Sequence, residues 1–211
     1  MKYKKIAVLG GGGRTGKYLV NQLINKGFQQ KALLRHPEQF FIQSQQIEIV
    51  KGDATHPESI HQLVEGCEAI ISVVGQRPGE PLVACRTTQN LLDAMNHFGI
   101  KRLILLAGLN VDTPSDQKGQ ETLMATEWMK ANFPEIHADR QKSYALLEQS
   151  LLDWTLVRIP FIEFQEACGE IAVNLKDCPS GKINAESLAV FLVDQLLDES
   201  YYRKAPFVAS V

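Results

Sequence analysis

Six short runs of apolar residues punctuate this chain, at 6–9, 30–34, 47–50, 69–74, 103–106 and 154–159. Several are apolar without a break, the pattern of strands buried on both faces. Between them, helix-like stretches cover 14–26, 57–65 and 82–97, and a long polar one ends near residue 150. Strand–helix alternation of this kind predicts an α/β fold with a doubly wound parallel sheet, helices on both faces and the first strand central. Beyond residue 160 the pattern changes to short apolar pieces, a loop signal at Cys178-Pro179-Ser180-Gly181, a helix over 185–197 and a last strand near 207–209. The chain 1–211 therefore reads as one domain, with 161–211 as a small lid over the carboxyl edge of the sheet. The polar region 110–142 is expected to form mobile loop and helix above that edge.

The first apolar run leads straight into Gly10-Gly11-Gly12-Gly13-Arg14-Thr15-Gly16, and a helical stretch follows at once. A strand, a glycine turn and a helix in this order place a pyrophosphate on a helix start. Gly10 permits the sharp turn, Gly13 lets the main chain approach the phosphates, and Gly16 lets helix and strand pack closely. The free N–H groups and the positive helix end meet the negative charge. The architecture expected is thus Rossmann-type.

Composition narrows the partners. A formal charge of −2 over 211 residues, with no basic block, gives no reason to expect nucleic acid. No apolar run approaches a membrane span. The basic start is followed by only four apolar residues, which suits a first strand rather than a signal peptide. The cysteines at 67, 85, 168 and 178 form no Cys-x-x-Cys pair. Reduced thiols in a cytoplasmic protein are expected, with no metal site and no disulfide framework. A monomer or homodimer acting on a small molecule fits this composition.

The end of the second strand selects the nucleotide. An acid there would bind the ribose 2′-hydroxyl of NAD, whereas a basic residue accommodates the 2′-phosphate of NADP. The strand ends Leu33-Leu34-Arg35-His36, with no acid before Glu38. Arg35 offers a planar fork of donors, and Arg14 could close on the same phosphate from the other side. NADP, or NADPH, is the expected cofactor, with NAD the less favoured one. Asp53, after the third strand, could accept from the adenine amino group while Ala54 packs on the ring. It could equally form an Asx turn ahead of the helix near Pro57. Gly75 leaves room for the cofactor ribose, and Gln76-Arg77-Pro78 form a loop near the nicotinamide.

With the glycine loop, Leu33-Leu34-Arg35, Gly52-Asp53-Ala54, Gly99-Ile100-Lys101-Arg102 and Ser150 to Pro160 in view, the chain resembles the atypical short-chain dehydrogenase/reductase group. Within it, the chain is similar to the NAD(P)H-binding, NmrA-like branch that includes the biliverdin IXβ/flavin reductases. The resemblance implies that Gly10, Gly13, Arg14, Thr15 and Gly16 hold the pyrophosphate. It implies that Arg35 meets the 2′-phosphate, Asp53 and Ala54 the adenine, and Val74, Gly75 and Gln76 the ribose. Pro160 would lie near the nicotinamide amide.

The superfamily's Ser–Tyr–Lys triad does not carry over. Gly108 stands where such a reductase carries serine, and Tyr144 is followed four residues later by Glu148 rather than lysine. Arg140 falls where related chains often have lysine. Arg140 and Tyr144, one helical turn apart, are the candidate catalytic pair: Tyr144 to donate a proton, Arg140 to lower its pKa. The alternative for both is a solvated helix face. Phe161/Phe164 and Trp128/Phe133 are either walls of an apolar substrate pocket or core.

The function expected is NADP(H)-dependent hydride transfer to or from a flavin-, quinone- or carbonyl-like acceptor. Such an acceptor can take its proton from water, so the missing serine is tolerable. A catalytically silent, NADP-sensing regulator is the alternative. A sugar-nucleotide epimerase or dehydratase is a third reading, disfavoured by the short tail and the missing triad.

Overall fold

A computed structural model describes residues 3–165 and 169–211. One eight-stranded sheet dominates it. The first six strands are β1 (Lys5–Leu9), β2 (Gln29–Leu34), β3 (Ile47–Lys51), β4 (Ala69–Ser72), β5 (Arg102–Gly108) and β6 (Asp153–Ile159). Two more come from the tail, β8 (Ile171–Asn174) and β10 (Phe207–Ser210), while β7 (Phe161–Glu163) and β9 (Lys182–Asn184) form a separate parallel pair. The order in the large sheet is β3-β2-β1-β4-β5-β6-β10-β8. All neighbours run parallel except β8, which is antiparallel to β10 at the edge.

The unbroken apolar runs are explained by burial on both faces. Ala7, Leu9, Ile70, Leu103 and Leu105 point to one face, against α2 (Pro57–Val64), α3 (Ala84–Phe98) and α5 (Pro134–Gln149). Ile6, Val8, Ile71, Ile104 and Val157 point to the other, against α1 (Arg14–Asn25) and α6 (Ala185–Asp194). Alternate residues of one strand thus feed two cores. In α1 the residues Leu19, Val20 and Leu23 make the inward stripe at helical spacing.

The tail, expected as a lid over the carboxyl edge, joins the body of the fold. β10 adds to the sheet beside β6, and α6 packs next to α1. Of its described residues, only Ile162, beside Pro160, lines the cavities described below. Region 110–142 is loop and helix, as expected. It forms a loop, then α4 (Gln120–Asn132), then the start of α5, with the break at Phe133-Pro134 where proline opens the new helix. Buried charges pin the loop. Arg158 Nη1 lies 2.7 Å from Asp116 Oδ2, and Lys118 Nζ lies 2.6 Å from Asp112 Oδ1. Cys67, Cys85 and Cys178 are free thiols, and burial pushes those of Cys67 and Cys178 up to about 11. Cys168 lies outside the described residues.

No helix among the described residues is long and apolar enough to cross a membrane. No group of three or more His, Cys, Asp or Glu side chains among them could hold a metal ion.

Candidate functional site

The strand order reverses at β1: its neighbours are β2 on one side and β4 on the other. In an open parallel sheet this leaves a crevice beyond the carboxyl ends of those strands. Two adjoining cavities occupy it, of about 650 Å³ over β1–β3 and about 300 Å³ over β4–β6. Thr15, Val74, Gly75 and Gln76 line both.

The larger cavity is built on the glycine loop. Gly10 has φ +80°, and a Cβ there would sit 2.9 Å from the Val73 carbonyl at the exit of β4. At Gly16 a Cβ would collide with the Gly10 carbonyl and come within 2.7 Å of Gly11 Cα. Both glycines are thus required for the turn to fold back on itself. Gly13 caps α1 with its backbone alone: no side chain bonds the first amides, and no acid lies in the first turn. Those amides face the cavity with the positive helix end, so the loop fits a phosphate-bearing nucleotide.

Arg35, at the end of β2, lines the same cavity but is already engaged. Its Nη1 and Nη2 donate to the two carboxylate oxygens of Glu80 at 2.8 and 3.0 Å, and Asp53 Oδ2 lies 3.8 Å away. The bond to Glu80 raises the Arg35 pKa. Gln76, expected at the ribose, pins the Glu80 loop: its amide nitrogen lies within 3.2 Å of the carbonyls of Arg77, Glu80 and Pro81. Asp53 forms the Asx turn, with Oδ1 accepting from the Thr55 amide and hydroxyl at 2.8 and 2.7 Å, while still lining the cavity beside Ala54. Arg14 remains on the cavity wall, but its guanidinium carbon lies 3.8 Å from the centroid of the Phe164 ring. It stacks on the tail instead of reaching towards the group that Arg35 faces.

Strand ends, α3 and α5 wall the smaller cavity. Pro160 and Ile162 close one side. Asp139 accepts from the amides of Ala84 and Cys85 at 2.8 and 3.3 Å, which supplies the α3 start with the cap it lacks locally. One turn on, Ser143 and Thr88 share a hydrogen bond of 2.7 Å between hydroxyls. Arg140 also lines this cavity, and its Nη1 donates to Asn110 Oδ1 at 3.2 Å. The Asn110 amide nitrogen is 3.1 Å from His137 Nδ1. An amide nitrogen only donates, so Nδ1 is the acceptor, and desolvation lowers the ring's pKa. A Cβ at Gly108 would lie 2.5 Å from Asn110 Oδ1 and 2.9 Å from Arg140 Nη1. The Arg140–Asn110 contact has therefore taken the space in which the resemblance expects a serine.

Tyr144 is a correction. It is buried in the core, its ring 6.1 Å from Trp154 and nearly perpendicular to it, and it lines neither cavity. Burial, then a hydrogen bond with Glu148, raises its pKa, the opposite of what a proton donor needs. Arg140 and Tyr144 do share a helix side, but at Tyr144 α5 has passed from the cavity to beneath β6. The aromatic pairs also fall outside. Trp128 and Phe133 stack edge to face on the surface, and Phe161 is 77% exposed. Glu80, Asn110, Asp139, Ser143 and Thr88 are site residues that sequence reasoning missed.

A model of the NAD(P)H-binding family matches residues 10–199. The chain is 27% identical over 222 residues to an uncharacterized chloroplastic protein of Arabidopsis thaliana, covering 99% of this chain and 78% of that one. It is 25% identical to the photosystem II assembly factor Ycf39 of Cyanophora paradoxa, over 90% of this chain but only 56% of that protein. Among solved structures, a Veillonella parvula short-chain dehydrogenase/reductase in complex with NADP superposes with TM-score 0.82 at 16% identity, covering 99% and 95% of the two chains. The anaerobillin reductase ChuY of Escherichia coli O157:H7 gives 0.80 at 18%, covering 98% and 97%. At these identities the structural matches establish the fold.

Proposed function

This chain belongs to the NAD(P)H-binding family, and on that premise we propose that it is an NADP(H)-dependent oxidoreductase acting on a small flavin-, quinone- or carbonyl-like acceptor. One observation carries the reading: an uncapped helix start and an arginine fork share a cavity that opens directly into a second one. The first would take the nucleotide and the second the acceptor, so the two reactants would meet near Gly75 and Pro160. A bound nicotinamide supplies or receives the hydride.

The chain's own residues do the positioning. The loop amides and the α1 start hold the pyrophosphate, Arg35 the 2′-phosphate, and Val74 and Gly75 leave the ribose unobstructed. Pro160 and Ile162 exclude water from one side of the smaller cavity. With Tyr144 in the core, the acceptor's proton comes from water or from the Ser143–Thr88 hydroxyl pair. Tyr144→Phe is accordingly expected to turn over at the wild-type rate with an unchanged pH profile. A fall in kcat with intact melting would restore the tyrosine to the reaction. The free thiols of Cys67, Cys85 and Cys178 support work in the cytoplasm.

Arg35→Ala is expected to weaken NADPH by about 10- to 100-fold, the worth of one or two hydrogen bonds to a charged group, and to leave NADH nearly unchanged. Titration of both nucleotides by nicotinamide fluorescence checks this; equal losses for the two would remove the 2′-phosphate assignment. Glu80 occupies the same fork with a carboxylate, and so competes with the phosphate. Glu80→Gln is expected to tighten NADPH by about two- to fivefold, the scale of an exposed ion pair, without affecting NADH. Tightening of NADH instead, or weakening of NADPH, would assign Glu80 to the ribose.

The regulator reading is favoured by the loss of the tyrosine from the cavity and by the likeness to an assembly factor. Nucleotide binding without NADPH oxidation by any acceptor, together with a protein partner released by NADPH but not NADP, would select it.

A further inference from the structure

Arg140 is the only lysine, arginine or histidine among the described residues lining the smaller cavity. Its surroundings offset the charge only in part, through the field of the neighbouring Asp139. Its hydrogen bond goes to a neutral amide, Asn110 Oδ1 at 3.2 Å, and among the described residues no carboxylate lies within ion-pair distance. Asp139, the one acid on the cavity wall, spends both oxygens on the α3 amides. Desolvation lowers the guanidinium's pKa against the opposing pull of Asp139. Arg140 is half-buried, and a partly desolvated charge with no ion-pair partner gains from an anion that arrives with a ligand.

The rest of the wall is shaped for the same purpose. Asn110 is itself buried and fixed by His137, so Arg140 is held from one side and its other N–H groups stay free to bond. The hydroxyl of Thr87, a residue 3% exposed on the same wall, has no hydrogen-bond partner. The remaining surface is mainly apolar, with Leu105, Leu106, Leu156 and Ile159. At about 300 Å³ the cavity suits a bicyclic planar molecule.

We propose that Arg140 is the anion anchor of the acceptor subsite, so that the acceptor is a planar apolar molecule carrying a carboxylate or comparable anionic group. This rests on the oxidoreductase reading for the identity of the ligand as acceptor, but the binding claim stands on the cavity alone. Arg140 is here a positioning residue that fixes the anionic end while the apolar wall holds the ring.

2-Naphthoate and 2-naphthamide make the test, because they share shape and differ in charge. Each is titrated calorimetrically into the protein, with and without saturating NADP. Naphthoate is expected to bind at least about tenfold more tightly than the amide, the usual advantage of a charge-assisted bond in a desolvated site. Arg140→Met is expected to erase that preference while retaining amide and NADP binding, and Arg140→Lys to restore part of it. Equal or undetectable binding of both probes, or a preference that survives in Arg140→Met, overturns the proposal. So does a loss confined to NADP in Arg140→Met, which would assign the guanidinium to the nucleotide. Absence of NADP binding to the wild type would refute the oxidoreductase reading, and the nucleotide-free titrations would still decide the anchor.

Discussion

Alanine at position 16 is expected to abolish nucleotide binding and to lower stability by about 1–3 kcal/mol or more, the scale of an overpacked interior. The added methyl would meet main-chain atoms of Gly10 and Gly11, not the yielding end of a side chain. Those atoms cannot retreat freely. Gly10 is wedged against the Val73 carbonyl, and its own carbonyl accepts from Gly13 at 3.0 Å to close the turn. The loop must therefore open, and the α1 amides lose their aim at the cavity. Gly75→Ala separates binding from folding. Nothing lies within 4 Å of the Cβ it would add, so its melting temperature should match the wild type, while the methyl intrudes on the shared rim of the two cavities. Melting curves and NADPH titrations of the two variants side by side give the answer. Wild-type affinity in Gly16→Ala would mean that the loop holds no phosphate.

The glycine loop was legible because its geometry is local: a strand, a turn and a helix contiguous in sequence dictate it. The six sheet strands were legible for a related reason. Burial on both faces leaves the central strands unbroken apolar runs that need no knowledge of partners, while the edge strand β3 is half-exposed and shows only a short apolar core. What could not be read lies in contacts between distant segments. Glu80 reaches Arg35 across 45 residues, Asn110 meets Arg140 across 30, and Asp139 caps α3 across 55. No spacing rule announces any of them. Gly108 was a partial signal, since a missing side chain at a strand end raises the question of what fills its space. Tyr144 shows the limit of helical spacing. Two residues one turn apart share a face, but where the cavity ends along that face is set by β6 and Trp154. The last strand, expected near 207–209, is present, but its place between β6 and β8 depends on partners far away in the sequence.

Asp116→Ala is expected to destabilise the fold by about 3–5 kcal/mol, as does breaking a buried ion pair from one side. Arg158 is fully buried in β6, with its guanidinium carbon 3.6 Å from the centroid of the Phe207 ring. Its Nε and Nη1 donate to the Ala205 and Val111 carbonyls at 2.8 and 2.9 Å, and Nη2 has no hydrogen-bond partner. Asp116 is the acid paired with it, at 2.7 Å. Without that carboxylate two carbonyls and an aromatic face must hold a full charge away from water, with the Lys118 ammonium close by. Urea unfolding measures the loss. The double variant Arg158→Met, Asp116→Ala should recover most of it, because methionine fills the stem's volume and leaves no charge to satisfy. If the double variant is no more stable than Asp116→Ala alone, the cost lies in the loop and not in the orphaned charge. The pair also bears on the site. It fastens the loop that follows Asn110, and Asn110 in turn holds Arg140. Asp116→Ala that still folds should therefore lose its preference for a carboxylate probe before it loses NADPH, since the glycine loop stands on β1 and α1 and owes nothing to Arg158.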